Sequence, residues 1–197
     1  MGFCGGSALN KPLRRKIVVV GDGSCGKTSL LNVFTKGVFP TEYVPTLFDN
    51  EVHDITIDGQ TVELSLWDTA GQEEFDRLRT LSYENTHVVV ICFSVDNRTS
   101  LDNILHRWLV EVSDYCSKAK IFLVALKTDL RDEPNNSSEE PIMYEEGVAM
   151  ARHINAIRYL ECSAKYNRGV REVFDQAARV AIQEYTANLS SKCCIIS

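Results

Sequence analysis

Eight consecutive residues, Gly21-Asp22-Gly23-Ser24-Cys25-Gly26-Lys27-Thr28, follow the pattern G-x-x-x-x-G-K-[ST] between an apolar run and a helical one. Glycines at this spacing let successive backbone N–H groups turn inward around phosphate oxygens, and the following helix adds the positive end of its dipole. Lys27 is placed to reach the β- and γ-phosphates of a nucleotide, and the Thr28 hydroxyl to ligate Mg²⁺. Further on, Asp68-Thr69-Ala70-Gly71 supplies a carboxylate able to hold Mg²⁺ through water and a Gly71 N–H able to meet a γ-phosphate. The phosphate loop alone leaves ATP and GTP both open. Lys127-Thr128-Asp129 and Cys162-Ser163-Ala164-Lys165, each just after an apolar run, decide between them. A carboxylate at Asp129 accepts hydrogen bonds from N1 and N2 of guanine, whereas adenine lacks that donor pair. GTP or GDP with Mg²⁺ is the expected ligand.

These segments lie far apart in the chain, so the fold has to gather them. Residues 17–20 (IVVV), 87–95 (HVVVICFSV), 120–126 (KIFLVAL) and 157–162 (IRYLEC) read as strands buried on both faces, as parallel strands are. Helices alternate with them. Leu101, Ile104, Leu105, Trp108, Leu109 and Val112 share one apolar face, and so do Val170, Val173, Phe174, Ala177, Ala178 and Ala181. Residues 61–67 (TVELSLW) instead alternate polar and apolar after the turn signal Asp58-Gly59, which places one antiparallel edge strand there. The expected fold class is α/β, a mostly parallel sheet with helices on both faces and ligands at the carboxyl ends of the strands. Residues 131–141 (RDEPNNSSEEP) read as an exposed loop.

Length and composition agree with one globular domain. The 197 residues are 44% hydrophobic and 24% charged, which excludes a disordered or fibrous chain. With 21 Lys+Arg against 27 Asp+Glu the net charge is −6, so no basic excess points to nucleic acid. The seven cysteines are odd in number and lack zinc spacing, which indicates neither a disulfide framework nor a metal site. No secretory signal or membrane-span run is present, and a cytosolic chain is expected.

With the four motifs in hand, the chain resembles the Rho family of Ras-like small GTPases over residues 14–187. The segments VPTLFDNEV, WDTAGQEEFDRLRTLSY and ALKTDLR carry the likeness, and GQEEFDRLR with LNVFTKGVFP is most similar to fungal Rho proteins of polarised growth and secretion. The resemblance implies a P-loop NTPase fold with a six-stranded sheet and a GTP-binding domain over residues 14–186. That domain would lie between a flexible extension (1–13) and a flexible lipidated tail (187–197). It implies catalytic roles for Gln72, which would orient the attacking water, and for Lys27 and Thr46. Thr46 would close onto Mg²⁺ and the γ-phosphate beside Thr28 and Asp68. Nucleotide contacts would come from Gly21, Asp22, Gly23, Ser24, Cys25, Gly26, Thr28, Ser29, Phe39, Tyr43, Gly71, Lys127, Leu130, Ala164 and Lys165 together with Asp129 and Ser163. Gly23 would leave room for the water and for an arginine supplied by an activating protein. Effectors would read Tyr43, Val44, Pro45, Leu47, Phe48, Asp49, Asn50 and Glu51 with Thr46, and a second switch would run over residues 71–83. Phe39, Phe75 and Leu78 are expected on ligand or switch surfaces rather than in the core. Trp67 is either a residue read by exchange factors or a plain sheet aromatic.

Implied partners are exchange factors, GTPase-activating proteins, a GDP-dissociation inhibitor and effectors, with the chain monomeric and bound to no nucleic acid. Its expected place is the cytoplasmic face of the plasma membrane, with a cytosolic pool. The terminal Cys194-Ile195-Ile196-Ser197 fits a prenylation box with the lipid on Cys194. One lipid binds membranes only marginally and the tail has few bases, so Cys193 or Cys4 is expected to carry a second acyl group. Gly6 stands where myristoylation calls for Ser or Thr, so that lipid is not expected.

Three departures from the family pattern carry expectations. Leu126 stands where many relatives have Asn or Thr, which removes a side-chain hydrogen bond to the phosphate loop and predicts looser nucleotide binding. The segment after Asp129 is too short and too polar for a full insert helix. Cys25 lies among N–H dipoles that favour thiolate, which makes it a candidate for oxidation. Two rival functions stand beside this one: a nucleotide-locked effector-binding module without hydrolysis, which Gly23 and Gln72 oppose, and a P-loop ATPase or kinase, which Asp129 opposes.

Overall fold

The computed structural model describes residues 13–42, 48–132 and 140–193, with side chains through residue 183. Tyr43, Val44, Pro45, Thr46, Leu47, Cys4, Cys194, the Cys193 side chain and most of the polar loop after Arg131 therefore lie outside the described residues.

Six strands form one sheet in the order β2-β3-β1-β4-β5-β6. They are β1 (Leu13–Gly21), β2 (Phe48–Ile57), β3 (Gln60–Thr69), β4 (Val88–Ser94), β5 (Lys120–Leu126) and β6 (Arg158–Glu161). Every pairing is parallel except β2 with β3. This corrects one expectation: residues 61–67 lie in an interior strand paired parallel to β1, and the antiparallel edge strand is Phe48–Ile57. The Asp58-Gly59 turn does close a hairpin, one whose outer arm precedes it. Along β3, Val62, Leu64 and Leu66 are buried while Glu63, Ser65 and Trp67 are half-buried. Alternation therefore reports that one face of the strand is less covered, and carries no information on which strand is outermost.

The buried Ile17-Val18-Val19-Val20 run of β1 shows how the two layers are divided. Ile17 and Val19 join one apolar core, with Leu30 of α1 (Lys27–Lys36) and Phe174, Ala177 and Ala181 of α6 (Val170–Cys193). Val18 and Val20 join the other, with Ile104, Trp108 and Val112 and with Ala151 of α5 (Tyr144–His153). Successive residues of a strand point to opposite faces, so a continuous Ile-Val-Val-Val run supplies both cores. Between β3 and β4, α2 (Asp76–Thr80) is flanked by two short 3₁₀ turns. After β4, α3 (Arg98–Asn103) passes through a π-helical turn, Ile104–Trp108, into α4 (Leu109–Cys116). Asn97 caps α3, its side chain accepting from the Ser100 N–H at 3.1 Å. No helix among the described residues is long and apolar enough to cross a membrane.

Candidate nucleotide site

The carboxyl ends of β1, β3, β5 and β6 converge on one edge of the molecule. Between β1 and α1 the chain must reverse tightly, and Gly26 does so at φ 111°, a left-handed conformation that side chains resist. Lys27 then turns back over the loop, and its Nζ donates to the carbonyls of Gly21 and Asp22 at 2.7 and 2.8 Å. At the second residue of α1, the Thr28 hydroxyl donates to Asp68 Oδ2 at 2.6 Å. Asp68 reaches that point because it pairs with Val19 across the parallel β1–β3 register.

Gly71 lies against the phosphate loop so closely that a Cβ there would stand 2.3 Å from the Gly23 nitrogen and 2.5 Å from the Gly21 oxygen. The two motifs are thus in backbone contact, which only a residue without a side chain allows. Gln72 follows, and a Cβ built on Gly23 would sit 3.7 Å from Gln72 Cγ, filling the gap between them. A cleft of about 380 Å³ opens here, lined by Gly23, Ser24, Gly26, Lys27, Thr28, Ser29, Gly71, Gln72 and Lys127 among others.

A second cavity of about 180 Å³ adjoins it, lined by Gly26, Ser29, Phe39, Leu126, Lys127, Asp129, Leu130, Ala164 and Lys165. Ser163 donates to Asp129 Oδ1 at 2.5 Å, which orients the carboxylate and joins the motif after β5 to the motif after β6. Lys127 takes a left-handed φ of 58° at the end of β5. Leu126 does not hydrogen-bond to the phosphate loop; its side chain packs over Gly26, where a Cβ would lie 3.6 Å from Leu126 Cδ1. The apolar contact stands where the expected polar tie is missing. Behind the cavity, Arg131 grips Glu161 through two hydrogen bonds of 2.7 and 2.8 Å and donates to the Ile142 carbonyl. Burial opposes charge on Glu161, but hydrogen bonds from Arg131 and Tyr159 outweigh it and hold the carboxyl below its ordinary range.

Most residues expected at the site are brought together. Phe39 is 42% exposed and lines the second cavity, Phe75 is half-buried and Leu78 is 40% exposed. Trp67 is half-buried, with the Lys16 ammonium 3.6 Å from its ring centre and Phe48 edge-on, a geometry that serves either reading. Cys25 behaves differently from expectation, and Asp22 has side-chain partners outside the phosphate loop. The Asp22 side chain turns out of the cleft, accepting from Trp108 Nε1 and Asn103 Nδ2 at 2.7 Å each, so only its backbone faces the loop interior. Cys25 is 2% exposed, and burial pushes its thiol up despite relief from nearby Lys27, which removes the basis for a stabilised thiolate.

Residue types alone did not mark Asn32, Pro40, Thr41 and Glu42, which also line the cleft. Asn32 was within reach of inference, standing one helical turn beyond Thr28. The supporting residues Arg79, Glu111, Arg131 and Glu161 carry no local motif and emerge only from tertiary contacts.

A model of the Ras family matches residues 16–183. The chain is 61% identical over 184 residues to the GTP-binding protein rho3 of Schizosaccharomyces pombe, covering 92% of this chain and 89% of that protein. It is 52% identical to the GTP-binding protein RHO3 of Saccharomyces cerevisiae, with 92% and 91% covered. Against the GTP-binding protein Rho3 of Schizophyllum commune it is 54% identical over the whole of both chains. A phosphate loop in backbone contact with the Gly71 turn, a Ser163–Asp129 hydrogen bond beside the second cavity and this degree of similarity agree, and the chain belongs to the Rho family of Ras-like small GTPases.

Proposed function

We propose that the GTPase cycle of this chain runs on Lys27 at the β- and γ-phosphates, Gln72 at the attacking water and Asp129 at the guanine edge. The observation that carries this reading is the pair of adjoining cavities, which share Gly26, Ser29 and Lys127 and so suit one ligand with a phosphate end and a base end. Thr28 Oγ1 and an Asp68 carboxylate oxygen, 2.6 Å apart on the cleft floor, form a hard oxygen donor set that fits Mg²⁺. Bound there, the ion would neutralise charge on the phosphates. Thr46 completes the set in this reading, and Gly23 leaves space for water beside Gln72.

The switch follows from differential contact, because Thr46 and Gly71 are tethered only while a γ-phosphate is present. Effectors then bind residues 43–51 in the GTP state, exchange factors and activating proteins act at the switches, and a GDP-dissociation inhibitor takes the lipidated form. The membrane is reached through Cys194 with a second lipid on Cys193 or Cys4, placing the protein on the cytoplasmic face of the plasma membrane and in polarised growth and secretion. Intact-mass measurement of native protein is expected to show a prenyl and an acyl group, and their absence would remove the anchor.

Nucleotide content tests the central reading. Protein denatured after purification should release stoichiometric GDP on chromatography, and Asp129→Asn should lower guanine affinity about 100-fold while improving xanthine binding. Adenine nucleotide, or an unchanged base preference, would overturn the role of Asp129. Intact GTP in place of GDP would revive the nucleotide-locked alternative, which no observation favours.

A further inference from the structure

Arg79 of α2 is 1% exposed, an unusual place for a cation, and four hydrogen bonds account for it. Its Nε and one terminal nitrogen clasp the Glu111 carboxylate at 2.7 Å each, and the second bond of that terminal nitrogen goes to Asp76. The other terminal nitrogen donates to the Ala70 carbonyl at 2.7 Å. Ala70 immediately precedes Gly71, so this bond holds the peptide that carries Gly71 and leads into Gln72. Tyr83 donates to the same Glu111 carboxylate at 2.6 Å. The guanidinium groups of Arg79 and Arg107 both lie over the Trp108 ring, 4.7 and 4.5 Å from its centre. That ring, in the π-helical turn, donates to Asp22 of the phosphate loop.

We infer that Arg79, clamped by Glu111, is a positioning residue for GTP hydrolysis: it fixes the Ala70–Gly71 peptide and so the place of Gln72 relative to the phosphate loop. A guanidinium does this where an ammonium would not, because its planar fork binds the carboxylate with two donors and still presents a third to the carbonyl. Trp108 gives the clamp its reference point, since the same ring is tied to Asp22. The inference rests on the reading that Gln72 orients the water.

The test uses the full chain in single-turnover hydrolysis of bound GTP, with GDP release and thermal melting measured alongside. Arg79→Lys and Glu111→Gln are each made alone and together with Gln72→Ala. Each single variant should hydrolyse GTP about tenfold more slowly, with GDP release within about twofold of wild type. In the Gln72→Ala background neither should slow hydrolysis further, because the group through which they act is gone. Equal slowing with and without Gln72 would overturn the inference, as would wild-type hydrolysis or a tenfold change in GDP release. Glu111→Gln keeps the shape of the carboxylate and decides the matter if Arg79→Lys does not fold. Should Gln72→Ala itself hydrolyse at the wild-type rate, the reading of Gln72 fails as well, an outcome distinct from failure of the clamp alone.

Discussion

At the scale of single residues, the functional groups are held by partners distant in the chain, some within motifs and some outside them. Asp129 is aimed by Ser163, and the loop that carries it is pinned by Arg131 to Glu161. Because the Glu161 carboxyl is held below its ordinary range in the folded protein, the stability it contributes is fully present above its unfolded value, near pH 4.5. That contribution is lost as the pH falls through the folded value. Glu161→Gln should therefore destabilise the protein at pH 7 by about 2 kcal/mol, leaving Arg131 without its anionic partner. The same variant should show a shallower loss of stability below pH 4.5. Urea melts of both proteins at pH 7 and pH 4 check this, and a difference that grew on acidification would contradict it. The cysteines point the same way: burial pushes the Cys162 thiol up to about 12, and Cys25 and Cys92 are raised too, so these buried thiols behave as small apolar side chains.

Elements show which parts of the fold were legible beforehand and why. The apolar faces of 101–112 and 170–181 were readable because a helix buries every third or fourth residue against one layer, and all six named residues of the second are buried. The order of strands is not readable, since pairing partners lie outside any local window, and the alternation of 61–67 points to the inner arm of the hairpin instead of its edge arm. The π-helical turn is hidden for a different reason: Leu101, Ile104, Trp108 and Val112 remain on the core side through it, so the period of burial masks the extra residue. The candidate site was legible where backbone chemistry demands particular residues, as at Gly26 and Gly71, and illegible where a remote side chain supplies support. Gly71→Ala tests the contact between elements. With Gly23 backbone 2.3 Å from the new Cβ, the turn after β3 has to lift off the phosphate loop. Overpacking of this kind costs about 1–3 kcal/mol, or roughly 2–12 °C in melting temperature for a chain of this size. Single-turnover hydrolysis should slow as Gln72 moves with the turn. A wild-type melt with wild-type hydrolysis would mean that the contact is not maintained in solution.

Over the whole molecule, the nucleotide would do more than occupy a pocket. The two cavities draw on α1, the turn after β3 and the loops after β5 and β6, so a ligand spanning them bridges segments from most of the sheet. Anything that binds the folded chain and not the unfolded one stabilises it in proportion to the logarithm of its excess over Kd, about 4 kcal/mol at a thousandfold excess. At 2–4 °C per kcal/mol for a chain of this length, that corresponds to roughly 8–16 °C. Stripping nucleotide with excess EDTA should therefore lower the melting temperature by about that amount. Adding back GDP with Mg²⁺ should restore it, whereas ATP with Mg²⁺ should not. The dependence on base separates this from a general effect of phosphate, since both nucleotides would satisfy Lys27 and only guanine would satisfy Asp129. Equal recovery with ATP would mean that stabilisation comes from the phosphate loop alone and that the base pocket contributes nothing to holding the sheet edge together. Recovery with GDP in wild type but with the xanthine nucleotide in Asp129→Asn would link the global stability of the fold to one carboxylate at the end of β5.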